Sequence, residues 1–341
     1  MRRRTHNHYL VLIYTSSVSE RLPDQQGYWA QLEKNLNAVL AQARAPSTTA
    51  QYSAAWSKWM DWTLLHKVCS MPAQPKIVSL YLVHIGSAAK SFSSVKAVYS
   101  AIAWKHSTNG CISPTLNPLV IETIAGLKRS LAKPVVKKEP FTVKQMQALQ
   151  FQQVKGCLTD LRNNCILVIA FFGFLRFEEI VHLRCDDVVF LTSHLELTLP
   201  KSKCDQLRQG EIVVISRLGQ FCPVGLLEHY MRSSGNFQSA NKYVFRRVVF
   251  SKGVKFLGNR DIPLTYSNVR DVVKAKSIQL GLDPSKYGTH SMRAGGSTAA
   301  ANAGIGDRIF QRHGRWASAS SKDGYIQDSL EGRLAVTKAL I

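Results

Sequence analysis

The sequence predicts a mainly α-helical protein with two domains, an N-terminal helical bundle and a mixed α+β domain that contains a small antiparallel sheet. Three observations support this fold class. The chain has 341 residues, which exceeds the roughly 100–200 residues of an ordinary domain. Apolar side chains recur at helical spacing along most of its length. Strand patterns occur in the segments His194–Leu199 and Glu211–Ile215, on either side of a polar turn.

The first domain is predicted over residues 29–132 as a bundle of helices. In the first of these, Trp56, Trp59 and Met60 share one apolar face, so we expect the tryptophans in the core. Residues 1–28 begin with a basic run, and the apolar stretch that follows is too short for a secretory signal. We expect a disordered arm there, or a stretch that an incorrect gene model has added to the sequence.

Residues 133–140 are predicted to be a linker between the domains. Pro134 and Pro140 enclose a basic run, and proline cannot continue a helix. The second domain then covers residues 141–341. Its segment Leu161–Phe172 is so apolar that we expect a helix at the centre of that domain.

The net charge points to a polyanionic partner. The chain has 44 Lys and Arg against 22 Asp and Glu, a net charge of +22, and compact chains rarely accumulate such self-repulsion without an anionic partner. Residues 1–133 hold 15 basic and 5 acidic side chains, which places +10 there and +12 in the remainder. Two basic domains favour a nucleic acid over the alternatives, a membrane surface or a ribosome-like assembly.

Cysteine usage and missing motifs argue against several other classes. The seven cysteines include no C-x-x-C pair, so neither a disulfide framework nor a zinc ribbon is predicted, and a reducing compartment is favoured. The longest apolar stretch, Cys165–Leu175, is too short to cross a bilayer. The sequence has no phosphate loop and no carboxylate cluster typical of a two-metal nuclease. We therefore expect no metal, no ATP, no other cofactor and no membrane partner.

Two polar motifs are candidates for a functional site. Arg176 ends the buried run, where a charge needs a partner or a ligand; the structural alternative is an ion pair with Glu178 or Glu179. His290 and Arg293 form an H-x-x-R pair. Such a pair occurs by chance in many proteins and equally fits a helix cap or a surface position, so neither motif is specific alone.

Order and spacing make the set specific. Trp316 follows Arg293 by twenty-three residues, and Tyr325 follows Trp316 by nine. Arg176 and a lysine of the predicted hairpin come before these residues in the sequence. The complete series resembles the tyrosine recombinase/integrase family, whose catalytic set is Arg, Lys, His, Arg, His-or-Trp and Tyr. The Trp-to-Tyr spacing is similar to that of Cre-like members, and segments 199–206 and 289–294 are similar to recombinases of DIRS/Ngaro-type retrotransposons. The catalytic residues that this resemblance implies are Arg176, Lys203, His290, Arg293, Trp316 and Tyr325.

The chemistry of phosphoryl transfer suits these residue types. Negative charge develops on the non-bridging phosphate oxygens, and Arg176 and Arg293 would form a fixed, charged clamp for them. Tyr325 would be the nucleophile. Because the phenol of tyrosine ordinarily has a pKa of about 10, its proton must be removed or its anion stabilised during attack. His290 is either the base or a donor that steadies the phosphate, and the Trp316 indole offers one N–H to it.

Three further side chains support or compete with this set. The departing 5′ oxygen needs a proton, and the resemblance assigns that donation to Lys203, with Lys201 as the runner-up because the hairpin register is open. His313 is a secondary candidate for the place of the indole, but it lies twelve residues before Tyr325 rather than nine. Glu179 is expected to hold the site by hydrogen bonding.

The resemblance also implies an architecture and partners. It implies a SAM-like core-binding bundle followed by a tyrosine recombinase catalytic domain, both on double-stranded DNA that is held mainly through its phosphates. A site-specific recombinase or integrase from a mobile element is implied, with a 3′-phosphotyrosyl intermediate, a homotetramer on DNA and residence in the nucleus. Two alternatives stay open: a type IB topoisomerase that only relaxes supercoils, and a domesticated DNA-binding protein that no longer cleaves.

Overall fold

The computed structural model divides the chain into two compact units, Met1–Val135 and Val136–Ile341. The division falls inside the segment 133–140, which the sequence predicts to be a linker. The residues that the structure describes are 23–134, 136–151, 157–199, 210–239, 241–251 and 253–340.

The first unit is helical throughout its regular structure. Prolines begin several of its helices, because their fixed φ suits the first helical turn and their missing N–H is not needed there. The 3-10 turn Pro114–Leu116 precedes the last helix. The helices are α1 (Pro23–Gln42), α2 (Pro46–Leu65), α3 (Pro75–Ala88), α4 (Phe92–Thr108) and α5 (Pro118–Ser130).

Aromatic and aliphatic side chains from α2 to α5 form the core of this unit. Trp56 and Trp59 are buried as predicted, and the Trp59 Nε1 donates to the carbonyl of Ser70 at 3.1 Å, which satisfies its only polar atom. Met60 is 47% exposed, so its place on the predicted apolar face was wrong. The α2 face that packs inward is narrower than the sequence pattern.

The N-terminal boundary also differs from the prediction. Helix α1 begins at Pro23, so its first six residues belong to the segment 1–28 that the sequence predicts to be a disordered arm. Residues 1–22 lie outside the described residues.

The second unit combines helices with two small antiparallel sheets. The helices surround a buried central helix, α7, whose side chains are apolar along nearly its whole length. Its helices are α6 (Val143–Phe151), α7 (Leu158–Phe172), α8 (Phe177–Val181), α9 (Pro223–Ser233), α10 (Tyr266–Gln279), α11 (Ser291–Asn302), α12 (Asp307–Gly314), α13 (Ala319–Asp323) and α14 (Leu330–Lys338), and its strands are β1 (Val188–Phe190), β2 (His194–Leu199), β3 (Glu211–Ser216), β4 (Val248–Ser251) and β5 (Val254–Leu257).

The first sheet has the order β1-β2-β3. The predicted hairpin is its β2–β3 pair, in a register that opposes His194 to Ser216 and Leu199 to Glu211. Alternate side chains of β2 are buried, which is the period-two pattern of a strand with one buried face. The sequence pattern missed β1 and the separate β4–β5 pair, because all three strands are only three or four residues long.

Helix α11 lies unusually close to its neighbours. A Cβ on Gly295 would come within 2.2 Å of the Phe141 carbonyl oxygen, and one on Gly296 within 2.1 Å of the Phe171 carbonyl oxygen. Only glycine permits this approach. These two glycines therefore fix how the start of α11 sits against the end of α7, where the predicted site residues gather.

Two properties concern the described residues alone. None of their helices is both long and apolar enough to cross a membrane. They also contain no group of three or more His, Cys, Asp or Glu side chains that could hold a metal ion.

Candidate active site

Tyr325 belongs to a cluster of four predicted site residues. The guanidinium carbon of Arg293 lies 5.0 Å from the centre of the Tyr325 ring and 4.7 Å from the centre of the Trp316 ring. The ring centres of His290 and Tyr325 are 6.2 Å apart, and those of Trp316 and Tyr325 are 6.0 Å apart. The fold thus brings side chains from three separate segments around one tyrosine.

Arg176 is held at the start of α8 by a carboxylate. Its Nη1 donates to Glu179 Oε1 at 2.6 Å, and its backbone N–H donates to Glu179 Oε2 at 2.7 Å. Glu179 is buried, and Glu178 instead lies beside His182 at 3.3 Å. The ion pair that the sequence offered as a structural alternative is present, and it is made with Glu179.

Arg293 lies on the first turn of α11 and is fully buried. Its Nη1 donates to the Phe174 carbonyl and its Nη2 to the Gly314 carbonyl. Burial lowers the pKa of Arg293, and repulsion from Arg176 and Arg315 acts in the same direction. A guanidinium retains its proton at neutral pH. Arg293 therefore gives the site a buried positive charge, which favours the binding of an anion.

Trp316 packs against Phe174 and Phe310, and these three side chains form a small cluster of their own. A Cβ on Gly314 would fall 1.8 Å from the indole, so glycine is required where the chain passes the ring. Within the described part of the chain, Trp316 Nε1 and Arg293 Nε are buried donors without an acceptor. Such donors cost about 1–3 kcal/mol each when unsatisfied, which is consistent with an acceptor that arrives with the substrate.

The backbone around Tyr325 is fixed by short local contacts and by α11. Its N–H donates to the Lys322 carbonyl at 3.0 Å. Thr298 of α11 donates through Oγ1 to the Tyr325 carbonyl at 3.4 Å, and the same oxygen accepts from the Gln327 N–H at 3.1 Å. The phenol is therefore carried by a segment that is attached to the helix of His290.

His290 immediately precedes α11 and is exposed. Its ring is tilted by 42° relative to that of Tyr325. Exposure keeps it accessible to solvent and to substrate, which suits either of the two roles that the sequence left open.

His313, the secondary candidate, is engaged elsewhere. Its Nε2 donates to the Phe172 carbonyl at 2.9 Å, and its ring packs edge-on against Phe174 with centres 4.6 Å apart. Burial lowers the pKa of His313. In this arrangement the side chain attaches α12 to the end of α7. Trp316, rather than His313, contacts the Tyr325 ring.

Lys201 and Lys203 lie outside the described residues, in the segment that joins β2 to β3. The assignment of the general acid to Lys203, with Lys201 as runner-up, stays a prediction.

Arg315 is the residue that sequence reasoning missed. It lies beside Trp316 and is buried, and its Nη2 donates to Glu179 Oε2 at 2.8 Å. Two arginines therefore share the Glu179 carboxylate. The cluster of basic residues before Trp316 was the one available signal, but nothing in its spacing indicated which of them turns inward.

A family model described as the Phage integrase family matches residues 141–331, which is more than half of the chain. The chain belongs to the phage integrase family. Its members are tyrosine recombinases, enzymes that cut and join DNA strands, and the prediction of that family and of its mainly helical catalytic fold is confirmed.

Two recombinases are similar to this chain over most of their length. The chain is 25% identical over 293 residues to an integrase/recombinase XerD homolog of Selenomonas ruminantium, covering 84% of this chain and 83% of the relative. It is 22% identical to the recombinase Cre of Escherichia phage P1, over 87% and 89% of the two chains.

Two DNA-bound recombinases share the fold. The XerH site-specific recombinase on its palindromic difH substrate matches with a TM-score of 0.56 at 14% identity, over 78% of this chain and 71% of that chain. A lambda integrase dimer on a COC′ core site matches with a TM-score of 0.55 at 14% identity, over 87% and 94% of the two chains.

Proposed function

We propose that the protein is a site-specific DNA recombinase that cuts and rejoins DNA through a 3′-phosphotyrosyl link on Tyr325. One observation carries the proposal: the Tyr325 ring lies 5.0 Å from a fully buried guanidinium carbon, that of Arg293. A nucleophile and a fixed positive charge at this separation can share one phosphate between them. The His290 ring lies beside the Tyr325 ring, with ring centres 6.2 Å apart. From there it can accept the phenolic proton or donate to the phosphate.

The cutting step follows from this arrangement. The Tyr325 oxygen attacks the phosphorus, a new P–O bond to tyrosine forms, and the P–O5′ bond of the DNA breaks. The phenolic proton leaves to a base, for which His290 is the candidate, and a proton is delivered to the departing 5′ oxygen, for which Lys203 is the candidate. The phosphodiester energy stays in the phosphotyrosine, so attack by a 5′-hydroxyl from another strand reverses the step and releases Tyr325.

The charge of the site favours the transition state. Arg176, Arg293 and Arg315 carry three positive charges around one buried carboxylate, that of Glu179. A phosphodiester gains negative charge on its non-bridging oxygens as the phenol attacks. Preorganised donors with excess positive charge stabilise that state more than the ground state.

Double-stranded DNA is the proposed partner over both units. The net charge of +22 is spread over both, and two structural neighbours, XerH and lambda integrase, are bound to their DNA sites in the solved structures. The resemblance of segments 199–206 and 289–294 supports an origin in a mobile element. A homotetramer on DNA, residence in the nucleus and independence from metal and ATP are further parts of the proposal.

A covalent-capture experiment tests the function. The probe is a library of nicked duplexes with a randomised central segment, incubated with the full chain in EDTA, because a nick lets the cut fragment diffuse away and traps the adduct. We expect a protein–DNA adduct that survives denaturation and that is lost in Tyr325→Phe. No adduct with the wild-type chain, or an adduct that persists in Tyr325→Phe, would refute the assignment. Sequencing the captured DNA identifies the target site.

A further inference from the structure

Arg315 occupies a backbone conformation that is costly for any residue with a side chain. It ends α12 with φ 55° and ψ 48°, in the left-handed region, where helices usually place glycine. A glycine would close this helix with less strain. The contacts of the Arg315 side chain therefore have to compensate for the strain of its backbone.

The Arg315 side chain gathers the segment that leads into Arg176. Its Nη1 donates to the Gly173 carbonyl at 3.2 Å and to the His313 carbonyl at 2.8 Å. Its Nη2 donates to the Phe174 carbonyl at 3.1 Å. With Glu179 Oε2 at 2.8 Å, these contacts join the end of α7, the start of α8 and the end of α12.

Sharing one carboxylate between two guanidiniums changes the charge that a phosphate meets. If Glu179 bound Arg176 alone, the pair would be neutral and Arg176 would attract an anion weakly. Because Arg315 binds the same carboxylate from the other side, the three groups together keep one positive charge. Burial opposes ionisation of Glu179, but attraction to Arg315, a backbone N–H of Arg176 and the Arg176 charge lower its pKa overall.

We propose that Arg315 is a positioning residue of the strand-transfer site, which keeps Glu179 ionised and leaves Arg176 with positive charge for the scissile phosphate. The proposal rests on the function proposed above. The phosphate contacts remain with Arg176 and Arg293; Arg315 acts through Glu179.

Arg315 also connects this site to the sheet. Its Nε lies 3.7 Å from Glu211 Oε2, an ion-pair distance beyond hydrogen-bond range. Glu211 is the first residue of β3, at the end of the segment that carries the candidate lysines. Arg315 thus lies within ion-pair distance of β3 as well as of Glu179.

The first test compares pH profiles. Single-turnover adduct formation on a captured nicked duplex is measured for wild type, Arg315→Lys and Arg315→Gly, with Arg312→Ala as the control. Arg312 is exposed in the last turn of α12, so the control removes an equal charge without touching Glu179, and alanine keeps the helix propensity of that turn. At neutral pH we expect Arg315→Gly to cleave about 10- to 100-fold more slowly, as when a group that orients an active-site ligand is removed.

The charges that face Glu179 come from Arg176 on α8, Arg293 on α11 and Arg315 on α12, with Glu211 of β3 behind Arg315. Burial raises the pKa of Glu179 and attraction to Arg315 lowers it. Without Arg315 the pKa should therefore rise, so that Glu179 takes up a proton at a higher pH. The acid limb of the Arg315→Gly profile should therefore move to higher pH. In Arg315→Lys the charge remains and the acid limb should stay close to that of wild type. A rate for Arg315→Gly within threefold of wild type, with an unmoved acid limb, would overturn the proposal.

A second test does not depend on cleavage. The Tm of wild type and of Arg315→Gly is measured over an acidic to neutral pH series. Because Arg315 stabilises the ionised Glu179, the Tm deficit of Arg315→Gly should shrink as pH falls and Glu179 becomes protonated in both proteins. A difference that is constant with pH would show a merely structural role and refute the inference. If the wild-type chain forms no adduct but the deficit shrinks, the proposed function fails while the charge sharing stands.

Discussion

Substituting Gly296 with alanine tests whether the approach of α11 to α7 sets the geometry of the site. The added Cβ would lie 2.1 Å from the Phe171 carbonyl oxygen and 2.7 Å from the Phe174 ring. Since real Cβ atoms stay at least 3.0 Å from such atoms, α11 must move by about 0.9 Å. Arg293 lies on this helix and His290 immediately precedes it, so the displacement reaches both.

Two effects are expected from this displacement. Overpacking of this kind costs about 1–3 kcal/mol of stability. A misplacement of about 1 Å at reacting groups costs about 100-fold in rate. Cleavage should therefore fall by about two orders of magnitude even at temperatures where the variant is folded, because the backbone carbonyl of Phe171 cannot move aside as a flexible side chain would.

The assay is single-turnover adduct formation on a nicked duplex, with Tm measured on the same samples. Gly126→Ala is the matched control: Gly126 lies in helix α5 with nothing within 4 Å of an added Cβ, and the substitution should stabilise that helix by up to about 1 kcal/mol. A Gly296→Ala protein with unchanged Tm and wild-type cleavage would refute the close-approach argument. A lower Tm with an unchanged cleavage rate would show that the close approach stabilises the helix packing but does not set the geometry of the site.

Three further outcomes follow from the same structure. Burial lowers the pKa of His313, so at mildly acidic pH the unfolded chain binds a proton that the folded chain does not bind. The stability of the protein should therefore fall as pH drops below about 6.5. In a series of Tm measurements against pH, His313→Gln should flatten that part of the curve. Burial raises the pKa of the Cys157 thiol, but the Asp160 N–H and Lys255 outweigh this effect and lower it overall. At Cys165, burial raises the pKa of the thiol. Mass spectrometry after brief alkylation at neutral pH should therefore find Cys157 modified and Cys165 intact, and equal labelling of the two would contradict this. DNA affinity should fall steeply and linearly on a log–log plot against salt, and a flat plot from filter binding would exclude phosphate-dominated binding.

The parts of the site that the sequence predicted are those whose spacing is set by short segments. Trp316 and Tyr325 are nine residues apart, and only α13 and its flanking turns separate them. His290 and Arg293 lie one helical turn apart at the start of α11. In both cases local structure determines the distance between the two side chains. The spacing of the residues in the sequence is therefore enough to predict that they lie close together.

Arg315 could not be predicted in the same way. Its contribution depends on a left-handed backbone at the end of α12 and on the tertiary approach of that end to Glu179. Neither follows from residue type, since a non-glycine residue rarely adopts that conformation. The strands β4 and β5 were missed because each has only four residues. Phe250 and Val254 are also exposed, so no alternation of buried and exposed side chains marks these strands.

The end of α7 explains why these separate segments meet where they do. A helix leaves its last carbonyls without intrahelical partners, and its C-terminus attracts positive charge. Here the Phe172 carbonyl accepts from His313, the Gly173 carbonyl from Arg315, and the Phe174 carbonyl from both Arg315 and Arg293.

Three donors from α11 and α12 thus satisfy one buried helix end. Each side chain that satisfies a carbonyl there also fixes an element of the site: Arg293 fixes the start of α11, and Arg315 and His313 fix the helix that precedes Trp316. The same hydrogen bonds that make burial of this helix end possible therefore position the clamp around Tyr325. On this argument, substitutions of these donors should lower stability and cleavage together, whereas Arg312→Ala, at an exposed position of α12, should alter neither.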